Sequence, residues 1–200
     1  MPKTAIFGGT FNPFHIGHYE MLKALNNNPD IEKILVLPDR IPPHKVCDYM
    51  ADDETRIKMC EIVVRDFNKA ELCLIEFERE GKSYSYDTVK LLKSKYPEKE
   101  FTFVCGGDML VYFDKWYRYE DLMREVSFTV FRRADTDFKD FLNCIERFTK
   151  MGMKITVMDE IITNVSSTVI RNNFLLAEQL IPTEVYKFLI EKRIYIDREI

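Results

Sequence analysis

The chain has 200 residues, of which 46% are hydrophobic and 31% charged, with a formal net charge of −4. That length fits one domain, residues 1–200, and that composition supplies a sizeable core. The mixed, slightly acidic charge excludes a global attraction for nucleic acid, and with no apolar run of about 18 residues nothing is expected to span a membrane.

In chain order, short apolar runs alternate with amphipathic stretches. Strands are predicted at 4–7, 31–37, 71–77, 101–105, 127–131 and 154–158, rich in Ile, Val, Phe and Leu. Helices are predicted between them at 17–27, 54–67, 86–96, 119–124 and 138–151. In the second of these, Ile57, Cys60, Ile62, Val63, Val64 and Phe67 form a broad apolar face. This alternation predicts an α/β fold: a Rossmann-like parallel sheet flanked by helices. The tail differs. Residues 166–176 and 183–192 both read as helical with no strand between them, a small C-terminal helical region over about 164–200. Cys47, Cys60, Cys73, Cys105 and Cys144 are dispersed and odd in number, which predicts free thiols in a reducing compartment. The N-terminus lacks the long apolar run of a signal peptide, so the expected location is the cytoplasm.

Ligands of open α/β sheets bind beyond the carboxyl ends of the strands. The unusual residues cluster there. After strand one comes G-G-T-F-N-P-F-H-I-G-H at 8–18. Glycines let backbone N–H groups approach a phosphate, and the following helix aims its positive end at the same point, worth about 0.3–1 kcal/mol. His15 and His18 are three apart and share a helix face, where imidazole N–H groups can donate to phosphoryl oxygens. The spacing matches neither the dinucleotide fingerprint nor the P-loop.

After strand two, residues 38–45 form a proline-stiffened loop ending in His44 and Lys45. All three histidines lie in the first quarter of the chain, so they can converge on one cleft. After strand four comes Gly106-Gly107-Asp108, where the aspartate either caps a helix or meets a ribose. Trp116 reads as core packing, and residues 81–88 as a polar turn that caps a helix. After the last strand, Ser166, Ser167 and Thr168 open a helix with Arg171 one turn in. Alone this is capping; beside the first motif it reads as a second phosphate cradle.

Together these segments resemble the bacterial nicotinate-nucleotide adenylyltransferases, within the nucleotidyltransferases that share an H-x-G-H signature. The likeness rests on G-G-T-F-x-P-x-H-x-G-H at 8–18, P-P-H-K at 42–45, S-Y-x-x-D-T at 83–88, G-x-D at 106–108, K-W-Y at 115–117 and S-S-T-x-I-R at 166–171. It implies a transfer of the adenylyl group of ATP to nicotinate mononucleotide, with Mg²⁺ arriving on ATP and no metal site of the protein's own. It implies that Gly8, Gly9, Thr10, Phe11, His15 and His18 line the adenylyl and triphosphate site. Ser167, Thr168 and Arg171 would hold phosphates, Lys45 would contact phosphate, and Asp108 would meet the adenosine ribose. Ser85 and Tyr117 would offer backbone N–H groups to the nicotinate carboxylate, Trp116 would stack on the pyridine, and Arg133 sits where the family often has a functional arginine beside Arg132.

Two positions depart from the family pattern: Asn12 stands where aspartate is common, and Ser85 where threonine is common. The expected partners are ATP and nicotinate mononucleotide, with no nucleic acid and no membrane; the state of assembly stays open, a homo-oligomer included. The rival readings are transfer to nicotinamide mononucleotide or phosphopantetheine, a cytidylyltransferase, a non-catalytic nucleotide sensor, and an NAD(P) oxidoreductase. The missing G-x-G-x-x-G weakens the last.

Overall fold

The computed structural model describes residues 2–43, 49–133 and 137–196. Among them, six strands form one sheet: β1 (Lys3–Gly9), β2 (Ile31–Pro38), β3 (Ala70–Leu72), β4 (Phe101–Gly106), β5 (Ser127–Arg133) and β6 (Ile155–Ile162). Their order is β3-β2-β1-β4-β5-β6, and every neighbouring pair is parallel. Parallel strands need crossovers, which are supplied by α1 (Ile16–Asn27), α2 (Asp53–Val64), α3 (Ser85–Lys95), α5 (Tyr119–Glu125) and α6 (Phe138–Lys150). The short α4 (Gly107–Val111) follows β4 directly, and α7 (Ser167–Asn172) and α8 (Thr183–Glu191) close the chain.

The period-2 alternation of the strands sorts the core into two layers. Ala5, Phe7, Ile34, Val36 and Phe131 point to one face, where they meet Leu22 and Leu25 of α1, Met59 and Val63 of α2, and Val185 and Leu189 of α8. Ile6, Leu35, Leu37, Phe128 and Val130 point to the other, against Val89 and Leu92 of α3, Leu122 of α5, and Phe141 and Phe148 of α6. Each such fully buried side chain contributes about 1.5–3 kcal/mol. The C-terminal helical region therefore shares the core of the sheet.

Strand order reverses between β1 and β4, which places the ligand crevice of such a sheet outside their carboxyl ends. Three expectations are corrected. The strand expected at 71–77 is only Ala70–Leu72; the chain then turns into a 3₁₀ segment, Ile75–Glu78, which buries Ile75 and Glu76. The helix expected at 166–176 stops at Asn172, and Phe174–Leu176 is a separate 3₁₀ turn, with Leu176 left 86% exposed. Lastly, α4 at Gly107–Val111 is a helix that was not among those predicted.

Candidate functional site

A cleft of about 420 Å³ opens at the β1/β4 switch point. The turn after β1 forms its floor. Gly9 leaves room for the Phe11 ring, which folds back over it from a left-handed backbone at φ 48°; a Cβ would sit 2.9 Å from that ring and force it to shift. Phe11 stacks on Phe14 at 4.9 Å, and Phe7, Phe11 and Phe14 surround the His18 ring edge-on.

The two histidines start α1 by capping it reciprocally. His18 N–H donates to His15 Nδ1 at 3.4 Å, and His15 N–H donates to His18 Nδ1 at 3.3 Å. The rings stack at 3.6 Å. With Nδ1 accepting in both rings, the ring proton resides on Nε2. The box that starts the helix thus also selects the tautomer that donates from Nε2.

The second motif packs beside the first. Ser166 caps α7 by accepting from Val169 N–H, while the Ser167 hydroxyl donates to the Pro13 carbonyl at 2.9 Å. Arg171, 8% exposed, donates to the Asn12 carbonyl at 2.7 Å and to Thr168 Oγ1 at 3.1 Å. A capped helix and a cationic pocket wall therefore coexist in six residues.

Asn12 is a junction rather than a weakened aspartate. Its amide nitrogen donates to the Tyr49 carbonyl at 2.9 Å, and its Oδ1 accepts from Ala51 N–H at 3.0 Å and from the Tyr195 hydroxyl at 2.6 Å. An ionised aspartate could make the last two bonds but not the first.

Asp108 does not cap α4, which starts without a side-chain cap. Its carboxylate lies 3.4 Å from Arg133 Nε and folds over Gly106, where a Cβ would come within 2.3 Å of Asp108 Oδ1. Arg133 lines the cleft, whereas Arg132 lies over the Phe138 ring. Trp116 is both core and wall: it packs edge-on to Phe103 at 5.8 Å and against Phe113, yet it lines the cleft. Cys105 is also at the wall, but burial, with a smaller contribution from Asp108, pushes its thiol up to about 12, so it is no nucleophile at neutral pH.

The turn at 81–88 does not cap α3 as expected. The Ser83 hydroxyl instead accepts from Arg40 N–H and Ile41 N–H of the loop after β2, at 3.1 and 3.3 Å. The N-terminus of α3 has no side-chain cap, and Ser85 and Tyr84 lie at the cleft beside Tyr117, whose ring is 4.5 Å from that of Tyr84.

Gly8, Gly9, Thr10, Phe11, His15 and His18 all line this cleft, as do Ser167, Thr168 and Arg171, together with Asp108, Ser85, Trp116, Tyr117 and Arg133. Lys45 and His44 lie outside the described residues. Among those described, no group of three or more His, Cys, Asp or Glu could hold a metal ion.

Sequence reasoning missed Arg56. It is fully buried, and its guanidinium donates to the carbonyls of Ala51 at 3.3 Å, Thr10 at 3.1 Å and Arg40 at 3.4 Å, and also to the Asp39 carbonyl and the Asp53 carboxylate. One side chain so joins the phosphate turn, the loop after β2 and the start of α2. The available signal was periodicity: Arg56 precedes buried Met59, Cys60 and Val63 by three, four and seven residues, on the core face.

The chain is similar to known proteins along its whole length. A family model described as cytidylyltransferase-like matches residues 6–173. A Listeria welshimeri protein, named probable nicotinate-nucleotide adenylyltransferase, is 35% identical over 193 residues, covering 96% of this chain and 97% of its own. The Bacillus subtilis nicotinate-nucleotide adenylyltransferase is 33% identical over 202 residues, covering 98% and 99%. The solved structure of Plasmodium falciparum nicotinic acid mononucleotide adenylyltransferase complexed with NaAD has a TM-score of 0.79 at 20% identity, over 98% of both chains, and shows the same fold.

Proposed function

We propose, from the premise that the chain belongs to the cytidylyltransferase-like family and, within it, to the nicotinate-nucleotide adenylyltransferases, that it transfers the adenylyl group of ATP to nicotinate mononucleotide. The products are nicotinate adenine dinucleotide and pyrophosphate. The observation that carries this reading is a single cleft that joins the two-histidine turn and Arg171 at one end to the open start of α3 at the other.

A phosphate oxygen of the mononucleotide attacks the α-phosphorus of ATP in line, a new P–O bond forms, and the bond to the bridging oxygen of pyrophosphate breaks. The attacking phosphate is already ionised, so no strong base is needed and catalysis is positioning plus charge neutralisation. His18 donates from Nε2 to the crowded α-phosphoryl group. His15, Arg171 and Lys45 steady the departing pyrophosphate, with Ser167 and Thr168 beside them. Gly8, Gly9, Thr10 and Phe11 shape the turn under the phosphates, and Asp108 takes the ribose once its pairing with Arg133 is exchanged. At the other end, the N–H groups of Ser85 and Tyr117 receive the nicotinate carboxylate and Trp116 stacks on the pyridine.

Mg²⁺ is expected as a passenger of the ATP phosphates, whose oxygens suit a hard cation. When bound it neutralises charge on the leaving pyrophosphate. Among the described residues no helix is long and apolar enough to cross a membrane, and Cys60, Cys73, Cys105 and Cys144 are free, which suits a cytoplasmic enzyme.

The test is to supply Mg-ATP with nicotinate mononucleotide, nicotinamide mononucleotide or phosphopantetheine in turn and follow pyrophosphate. The reading expects fastest release with the first; a folded protein that releases none with either pyridine nucleotide sinks it.

A further inference from the structure

After α8 the chain turns back into the molecule. Arg193 and Tyr195 both hold left-handed backbones, at φ 55° and 67°. Residues other than glycine rarely adopt that region, and they persist there only where their surroundings hold them. Here the two turns bury Tyr195, which is 5% exposed. Its ring lies 5.5 Å from that of Tyr49, edge-on, and 5.5 Å from that of Phe174. Its hydroxyl donates to Asn12 Oδ1 at 2.6 Å, a contact between residues 183 positions apart.

Asn12 belongs to the turn after β1, and three carbonyls of that turn are gripped from elsewhere in the fold. Thr10 accepts from Arg56 Nη1 at 3.1 Å, Asn12 from Arg171 Nη1 at 2.7 Å, and Pro13 from the Ser167 hydroxyl at 2.9 Å. Arg56 Nε also donates to the Ala51 carbonyl at 3.3 Å, and Ala51 N–H donates to Asn12 Oδ1 at 3.0 Å. The Asn12 side chain is thereby tied into the same frame as the carbonyls.

Arg171 is the member of this frame that carries chemistry. Its bonds to the Asn12 carbonyl and to Thr168 Oγ1 fix the plane of its guanidinium at the cleft. A guanidinium presents its donors as a rigid fork, so its hold on an anion depends on that plane. The Asn12 carbonyl that orients it depends in turn on how the Asn12 side chain is seated. Oδ1 has two acceptor positions, and Ala51 N–H and the Tyr195 hydroxyl use both. Without the hydroxyl a buried acceptor position is left unmet, and Asn12 re-seats to satisfy it.

We propose that Tyr195 is a positioning residue: through Asn12 it sets the orientation of Arg171, and with it the grip of the cleft on phosphate. The inference rests on the phosphate-holding role of Arg171 in the reading given above, and it does not depend on which acceptor is used.

The experiment compares wild type with Tyr195→Phe, which keeps the ring between Tyr49 and Phe174 and loses the hydroxyl. Calorimetry measures binding of inorganic pyrophosphate, and urea unfolding gives the folded fraction. Tyr195→Phe should raise the pyrophosphate dissociation constant about fivefold, the range of one hydrogen bond. In an Arg171→Lys background, which keeps a charge but not the fork, the same substitution should move it by less than about twofold, because the group it acts through is gone. Asn12→Ala breaks the link from its other end and should weaken pyrophosphate at least as far; it carries the test where Tyr195→Phe does not fold. A hydroxyl that serves stability alone would lower the folded fraction and leave pyrophosphate binding by the folded protein unchanged. That result, or an equal loss with and without the Arg171 fork, overturns the inference. Wild type separates the two claims: a wild type that binds pyrophosphate beside an unmoved Tyr195→Phe sinks only this inference, whereas a folded wild type that binds none sinks the phosphate-holding role of the cleft with it.

Discussion

Two helices begin at the rim of the same cleft in opposite ways. At α1, His15 and His18 cap the helix reciprocally, so its first N–H groups are partly satisfied before any ligand arrives. At α3, Tyr84 occupies the cap position and supplies no side-chain bond. An isolated helix would fray at such an end, because free N–H groups want an acceptor. Here the start is held from outside, by Ser83 bonding the loop after β2 and by hydrogen bonds joining Glu76 to Arg79 and Thr88. The difference teaches a division of labour. On the proposed reading, the capped end presents side chains to phosphate, and the end without a side-chain cap presents backbone to an anion.

The largest expected effect is at the capped end. His18→Ala should lower kcat by about 10²–10³-fold while ATP still binds, since one donor to a developing charge is lost. Near-normal turnover with intact ATP titration would show that the two-histidine end does not carry the chemistry. Next comes the frame shared by both ends. Arg56→Met leaves the carbonyls of Thr10, Arg40, Asp39 and Ala51 without their donor. Buried acceptors left unpaired should cost about 3 kcal/mol of stability, measured by urea unfolding. ATP affinity should fall in the fraction that remains folded.

A smaller change inverts the comparison itself. Tyr84→Asp supplies α3 with an anionic cap, which should raise the KM for nicotinate mononucleotide about tenfold, with Tyr84→Ala as the control for loss of the ring against Tyr117. The smallest effect is at a helix start away from the cleft. Asp52 caps α2, accepting from Thr55 N–H at 2.7 Å, and its hydrogen bonds to Thr55 hold its carboxyl below the ordinary value of 3.8. Asp52→Ala should cost about 1 kcal/mol at neutral pH. Because the folded pKa is the lower one, that contribution is complete above the unfolded carboxyl's pKa and is lost as pH falls through the folded value. Wild type and variant should therefore converge in stability only in strong acid, and turnover near neutrality should be unaffected.

The capped end was legible in the sequence because its signals are local. Glycines before two histidines three apart define a turn, a helix start and a shared face within eleven residues, and the strand periods around it reproduce the sheet. The open end was not. Residues 81–88 satisfy every local rule for capping, but the Ser83 hydroxyl is drawn to partners 42 and 43 residues away. Arg56 was hidden for the same reason: its acceptors lie on loops that only the parallel sheet brings together. Trp116 divides between the two cases, since core packing was legible from its chemistry and its place at the cleft only from the resemblance.

The measurement that bears most directly on the open start of α3 is the ratio of kcat/KM for nicotinate over nicotinamide mononucleotide, taken by pyrophosphate release in wild type and in Tyr84→Asp. The account predicts a ratio well above one in wild type that falls about tenfold in the variant. A wild-type ratio near one, or a ratio unchanged when α3 is capped, would contradict it.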